Sequence, residues 1–288
     1  MATEIGISDW QQLAAFLQER LPDVDLAFRG QGRSYGDNGL HVIKPRIDRC
    51  LALPDREERL RVERAVCQRF REHAPNYLST VETRYLRTPW LQLVVMQHYG
   101  APTRLLDWTK SAWVAAYFAV SSDWESDGYM YGFRRDKLEV QIRSRFHSEV
   151  SDLVCGPRKP GMHSPDESWD SASANERLFN GESLSRLSPW VATYYSREAH
   201  FPRLVAQQGL FTFGSVPDLN HWEHICKLLN DDEWWVVRIP SKEKPVVLRR
   251  LNTMGLNGAT LFPGADGIGR SLEGFARAWH LYPRPSQF

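Results

Sequence analysis

The sequence is short of several features that would have settled its class at once. Neither sign of charge prevails, since 36 Lys and Arg face 35 Asp and Glu for a net +1. That excludes the broad positive field of a strongly basic nucleic-acid or anionic-membrane binder, while leaving room for a local patch. No run of about 18 apolar residues occurs, so no transmembrane helix is expected. The first twenty residues lack a basic segment followed by an apolar one, so no signal peptide is expected. Only four cysteines are present, Cys50, Cys67, Cys155 and Cys226, with no C-x-x-C pair. A zinc ribbon or dithiol redox motif is therefore not expected, and isolated thiols fit a reducing, cytoplasmic setting. There is no G-x-G-x-x-G after a strand, no Walker lysine loop, no H-E-x-x-H and no G-x-S-x-G. No metal is expected.

Large aromatics, by contrast, are plentiful: 11 Trp, 10 Tyr and 13 Phe in 288 residues. They fill cores and also line pockets and interfaces. Ser8-x-x-Gln11 reads as a capping box opening a helix with Trp10, Leu13, Phe16, Leu17 and Leu21 on one face. Leu26 to Gln31 reads as a strand entering a glycine-rich loop, and 55–72 as a helix with one buried face. Thr88-Pro89 caps an almost wholly apolar helix that ends at Gly100. A buried strand over Thr103 to Trp108 follows, then a helix capped by Thr109 and rich in alanine, then a strand at Gly128 to Phe133. The segment 156–180 is rich in Pro, Ser, Gly and Asp and reads as a loop insertion, with an interdomain linker as the competing reading. Its acidic cluster, Asp166, Glu167 and Asp170, reads as solvated loop charge. Beyond it the pattern gives a strand from Arg203 to Phe213 kinked at Gly209 and a helix over Leu219 to Leu229. A strong strand at Trp234 to Ile239, a helix over Val246 to Met254, a strand or turn at Ala259 to Pro263 and a last helix at Ser271 to Trp279 complete the chain. Strands and helices mix without strict alternation, which predicts an α+β fold with a mixed or antiparallel sheet flanked by helices.

Three stretches concentrate polar groups in apolar settings. Phe28-Arg29-Gly30-Gln31 places a guanidinium at a strand end beside a glycine, where it can fork onto a phosphate or carboxylate. Gln97-His98-Tyr99-Gly100-Ala101-Pro102-Thr103-Arg104-Leu105-Leu106-Asp107-Trp108-Thr109 crowds a turn between a buried helix and a buried strand. There Arg104 and Asp107 need partners, each other being one option, and His98 is a candidate base. Gln207-Gln208 in an apolar strand sends one amide inward, where it must find a partner.

In this order the segments resemble the FRG domain family, named for a Phe/Tyr-Arg-Gly motif. The matching residues are Phe28-Arg29-Gly30-Gln31, Glu63 with Phe70, and Met96 to Thr109. Ala116-Tyr117-Phe118-Ala119, Arg203 to Phe211 and Leu261-Phe262-Pro263 with Asp266-Gly267 follow. The resemblance runs over roughly residues 8–280 and so implies one domain across 1–288 with the 156–180 insertion. It further implies likeness to mono-ADP-ribosyltransferase-like proteins, hence an ADP-ribosyltransferase-like core acting on NAD or a related nucleotide, as a toxin or defence effector. Carried over, Arg29 with Gly30 and Gln31 would hold phosphate and ribose. Thr109 would mark the second strand-to-helix junction, and Gln207 or Gln208 would stand where a catalytic Glu is expected. Asp107 and Glu198 are the substitute acids. Tyr99 and Trp108 would pack a ring, Thr103 and Gln208 would join the binding set, and His98, Arg104, Asp107 and Gln207 would shape or run the chemistry. Two rival readings are a non-catalytic module that binds a nucleotide or a protein through the same cluster, and an enzyme directed at nucleic acid through Arg134-Arg135 and Arg143 to Arg145. No membrane partner is implied.

Overall fold

A computed structural model describes residues 4–20, 25–36, 41–53, 55–146, 188–195 and 201–281. The 156–180 segment, Cys155, Glu198 and the acidic cluster at 166–170 lie outside them. Seven strands form one sheet in the order β1-β7-β4-β2-β3-β6-β5. They are β1 (Glu4–Gly6), β2 (Leu26–Gln31), β3 (Leu106–Thr109), β4 (Gly128–Arg134), β5 (Val191–Tyr194), β6 (Gly209–Gly214) and β7 (Trp234–Ile239). Only β1 and β7 are parallel; every other pair is antiparallel. The α+β expectation stands at this level.

Helices cover both faces of the sheet, and two separate cores result. In chain order the α-helices are α1 (Trp10–Arg20), α2 (Arg46–Cys50), α3 (Arg56–His73), α4 (Thr80–Tyr85), α5 (Pro89–His98), α6 (Ala112–Val120) and α7 (Arg135–Arg145). After β5 come α8 (Pro202–Ala206), α9 (His221–Leu228), α10 (Lys244–Thr253), α11 (Gly258–Leu261) and α12 (Ala265–Arg277). The larger core joins α3, α5, α7 and α9 to Tyr131, Phe133, Trp108 and Trp234. The smaller joins α1, α6 and α10 to Phe28, Met130, Trp235 and Val237. Adjacent strand residues point to opposite faces, so Trp234 and Trp235 are both buried, one in each core. Trp90 is buried, Trp10 and Trp113 pack on each other half-buried, and Trp279 is 51% exposed.

Local signals explain most boundaries. α5 starts at Pro89 and ends where Gly100 takes φ +74, a left-handed position that costs glycine little. The first helix is capped by Asp9, whose carboxylate accepts from the Gln12 amide, not by Ser8. Ser111, not Thr109, caps α6 by accepting from the Val114 amide. The strand expected at Arg203 to Gln208 is instead α8 followed by a turn, since Pro202 opens a helical turn that Gln208 ends at φ +47. Ala259 to Pro263 contains α11, capped by Asn257.

Two features of the sheet build the site. β2 pairs with β4 along all of Leu26–Gln31, but with β3 only at Phe28↔Thr109. Past that pair the two strands part, and the sheet splits into halves. α6 lies close over β2 and β4: a Cβ on Gly30 would stand 1.9 Å from the Ala115 carbonyl oxygen, and one on Gly128 2.1 Å from that of Ala119.

Candidate functional site

A cleft of about 480 Å³ lies at the end of β2. Its floor is the free end of β2, Arg29 to Gly32; one wall is Tyr117, Phe118, Ser121 and Ser122 of α6 and its C-terminal turn. Lys44 and Arg49, from the segment leading into and through α2, form another side, and Phe262, Arg270 and Glu273 close it. Four cations thus face one carboxylate. Lys44 is paired with Asp218 at 2.9 Å. No carboxylate among the described residues pairs with Arg29, Arg49 or Arg270, and Arg270 instead lies 4.4 Å over the Phe262 ring.

Arg29 bridges the split: its Nη1 donates to the Asp107 backbone oxygen at 2.6 Å, while its buried Nε has no partner. Burial pushes its pKa down, the Asp107 carboxylate opposes that, and Arg49 adds to it. A guanidinium stays charged throughout, so the cleft floor holds a half-buried cation. Gln31, two residues on and 9% exposed, presents a buried Oε1 without a partner. Gly30 lines the cleft, but its lack of a side chain serves packing against α6 rather than approach of a ligand.

Lys244 braces this floor from behind. It is 0% exposed, and its Nζ donates to the carbonyls of Gly32, Ser122 and Asp123 at 2.6, 2.9 and 2.8 Å. One ammonium therefore ties the end of β2 to the C-terminal turn of α6, whose carbonyls carry partial negative charge. Burial pulls this lysine down to about 8.

The other expected residues gather elsewhere. His98, Asp107 and Gln207 share a second pocket of about 50 Å³ with Gln97 and Arg203. The Asp107 carboxylate accepts from Gln97 Nε2 at 2.7 Å, and Thr103 donates to the Oε1 of the same Gln97. His98 stacks on Phe201 at 4.3 Å, and burial and Arg203 hold its pKa below the usual value. Gln207 donates to the Leu261 carbonyl at 2.9 Å. Phe262 lines the cleft and not the pocket, and Arg203 of the pocket and Arg270 of the cleft both lie over its ring. Gln208 is exposed in the turn before β6. Because these amides occupy a turn, the strand argument that one must face inward does not apply.

Four more expectations meet a structural role. Arg104 pairs with Glu63 of α3 rather than with Asp107; its Nε lies 2.8 Å from Oε1 and its Nη2 bonds Oε2. Both are buried away from the cleft. Trp108 is 3% exposed, packs against Phe133 and Trp222, and donates to Thr212, which bonds the buried His221. Thr109 donates to the Gln207 carbonyl and accepts from the Ser111 amide, tying the β3 end to the turn before β6. Tyr99 is half exposed and donates to Glu82 at 2.6 Å, away from either pocket. Three of the four arginines read as a nucleic-acid contact are matched by carboxylates: Arg134 with Asp136, Arg135 with Asp25 and Glu139, Arg143 with Glu139.

Arg49, Lys244, Arg270 and Glu273 were not singled out from sequence. They come from three helices far apart in the chain, Arg270 and Glu273 sharing the last of them. Tyr117 and Phe118 entered only through the family resemblance.

No curated protein and no solved structure matches the chain. The family model that matches is the FRG domain, over residues 25–128. That is narrower than the roughly 8–280 expected. It begins just before β2, holds the Arg29–Gly30–Gln31 floor, the Glu63–Arg104 pair and α6, and stops at the first residue of β4. On that match the chain carries an FRG domain over residues 25–128.

Proposed function

We propose that the cleft binds NAD or a related nucleotide and that the chain works as an ADP-ribosyltransferase-like enzyme on it. The observation that carries this reading is Arg29, a half-buried guanidinium at the floor of a 480 Å³ cleft, with a buried Nε that has no partner and no carboxylate paired to it among the described residues. Arg49 and Arg270 supply further unpaired positive charge for a diphosphate, in the manner of bidentate arginine recognition. Tyr117, Phe118 and Phe262 offer ring faces for a base. The fold analogy behind the enzymatic part comes from the family resemblance alone.

The reaction would break the bond between nicotinamide and ribose and pass the ribosyl carbon to water or to a target side chain. Positive charge grows on the ribose as that bond opens, so a nearby carboxylate would stabilise the transition state. Glu273 is the one carboxylate among the described residues that lines the cleft, while Asp107 lines the second pocket and meets Arg29 through its backbone oxygen. Gln207 could hydrogen-bond but brings no charge. That same arrangement favours the second reading, a module that binds the nucleotide without reacting.

Labelled NAD incubated with the protein and cell lysate separates the two. Nicotinamide release or label transfer that is lost in Arg29→Ala and kept in the exposed-surface control Arg69→Ala supports the enzyme. Ligand-induced thermal stabilisation without turnover supports the binding module. Neither turnover nor stabilisation rejects the nucleotide reading.

A further inference from the structure

We propose that Gln31 makes the cleft selective for a phosphorylated ligand that also brings a hydrogen-bond donor, with the phosphate on Arg29 and the donor on Gln31 Oε1. The inference rests on the nucleotide reading of the same cleft and adds which nucleotides it accepts.

Two buried polar atoms in the cleft floor lack partners, Arg29 Nε and Gln31 Oε1. One is a donor and the other an acceptor. Folded proteins seldom leave such groups unpaired, because a buried unsatisfied atom forfeits its bonds to water and gains nothing in return. Arg29 and Gln31 are two residues apart on β2, so they share a face, with Cα atoms about 7 Å apart. Gly30 between them turns toward α6. Both residues line the cleft, so their side chains stand beside open volume.

Inorganic phosphate or pyrophosphate, if it pairs with Arg29, has mainly lone pairs to offer Gln31. A ribonucleotide answers both needs: its phosphate oxygens accept from the guanidinium, and a ribose hydroxyl or a base amine a few ångströms away donates to the amide carbonyl. The shared chemistry is a donor held next to a phosphate.

The test is calorimetric titration of the whole chain with ADP, 2′,3′-dideoxy-ADP, IDP and pyrophosphate, in wild type and in Gln31→Leu. ADP is expected to bind about tenfold more tightly than the analogue that lacks the donor, the dideoxy compound for a ribose hydroxyl or IDP for a base amine. In Gln31→Leu that gap should close to within about threefold, with pyrophosphate affinity unchanged. A gap that persists in Gln31→Leu overturns the proposal. So does equal binding of all three nucleotides by wild type, an outcome that leaves the cleft reading standing. Failure of every probe to bind rejects the cleft reading and the proposal with it. If Gln31→Leu does not fold, Gln31→Met replaces it, and the wild-type comparison of the three nucleotides decides on its own.

Discussion

Arg104 sits inside the most distinctive stretch of the sequence, yet its Nε and Nη2 are turned onto Glu63 in a site where both residues are about 5% exposed or less. Burial alone would lower the pKa of this arginine, and the Glu63 carboxylate reverses that and raises it. Arg104→Met therefore leaves a buried carboxylate without its cation, and Glu63→Leu leaves a buried guanidinium without its anion. Removing one partner of such a pair costs about 3–5 kcal/mol, against a typical total of about 5–15 kcal/mol. At roughly 2 °C per kcal/mol for a chain of this length, Tm should fall by about 6–10 °C. The double variant Glu63→Leu/Arg104→Met removes both charges and fills the space with apolar volume. It should recover most of the loss, since well-packed apolar replacements of buried pairs are often neutral or better. Urea and thermal melts of the three variants, with NAD binding measured on each, form the assay. The reasoning fails if Arg104→Met melts like wild type while losing NAD binding, because Arg104 would then serve the ligand and not the fold.

The remaining expectations follow from the cleft floor and its supports. Lys244→Met strips three buried carbonyls of their donor; a loss of about 2–4 kcal/mol in urea melts is expected, with weaker nucleotide binding. Gly30→Ala forces a methyl into the α6 backbone and should cost about 3 kcal/mol or abolish folding, read by circular dichroism. Asp48, buried beside Arg59 and the Asp218 amide, is raised to about 6, chiefly by burial. A carboxyl that titrates near 6 folded and near 3.8 unfolded holds its proton more tightly in the fold. Its ionisation therefore destabilises the fold by up to about 3 kcal/mol as pH rises from about 4 to about 6. Asp48→Asn should accordingly gain on wild type over that interval in urea melts run at a series of pH values.

Much of the fold is legible in the sequence wherever one short signal decides. β2 and β7 are read to the residue because each is a compact apolar run bounded by polar or turn residues. α5 is read from Pro89 and Gly100, which constrain the backbone by themselves. α8 is misread as strand because Leu204, Val205 and Ala206 suit a strand equally well, and Pro202 at the first helical position is the signal that outweighs them. The site is legible only at its floor. Arg29 and Gln31 are visible as a strand end before glycines. The placing of His98, Asp107 and Gln207 in a second pocket is not, because it depends on Phe262, just past α11, lining the cleft with Arg203 and Arg270 over its ring. Thr109 and Trp108 look like site residues in sequence because a polar turn beside a buried strand is where ligands often bind. Here the same turn is occupied in holding β3 to β6 and to the core.

If the cleft at the end of β2 is an anion-binding nucleotide site, Arg29, whose buried Nε has no partner among the described residues, is its anchor. Isothermal titration of NAD into wild type and Arg29→Met, each checked by its melting curve, tests it most directly. The account expects saturable binding by wild type with Kd below about 1 mM, weakened at least about tenfold in a variant that still melts cooperatively. Equal binding by wild type and Arg29→Met, or no saturable binding by wild type, would contradict it.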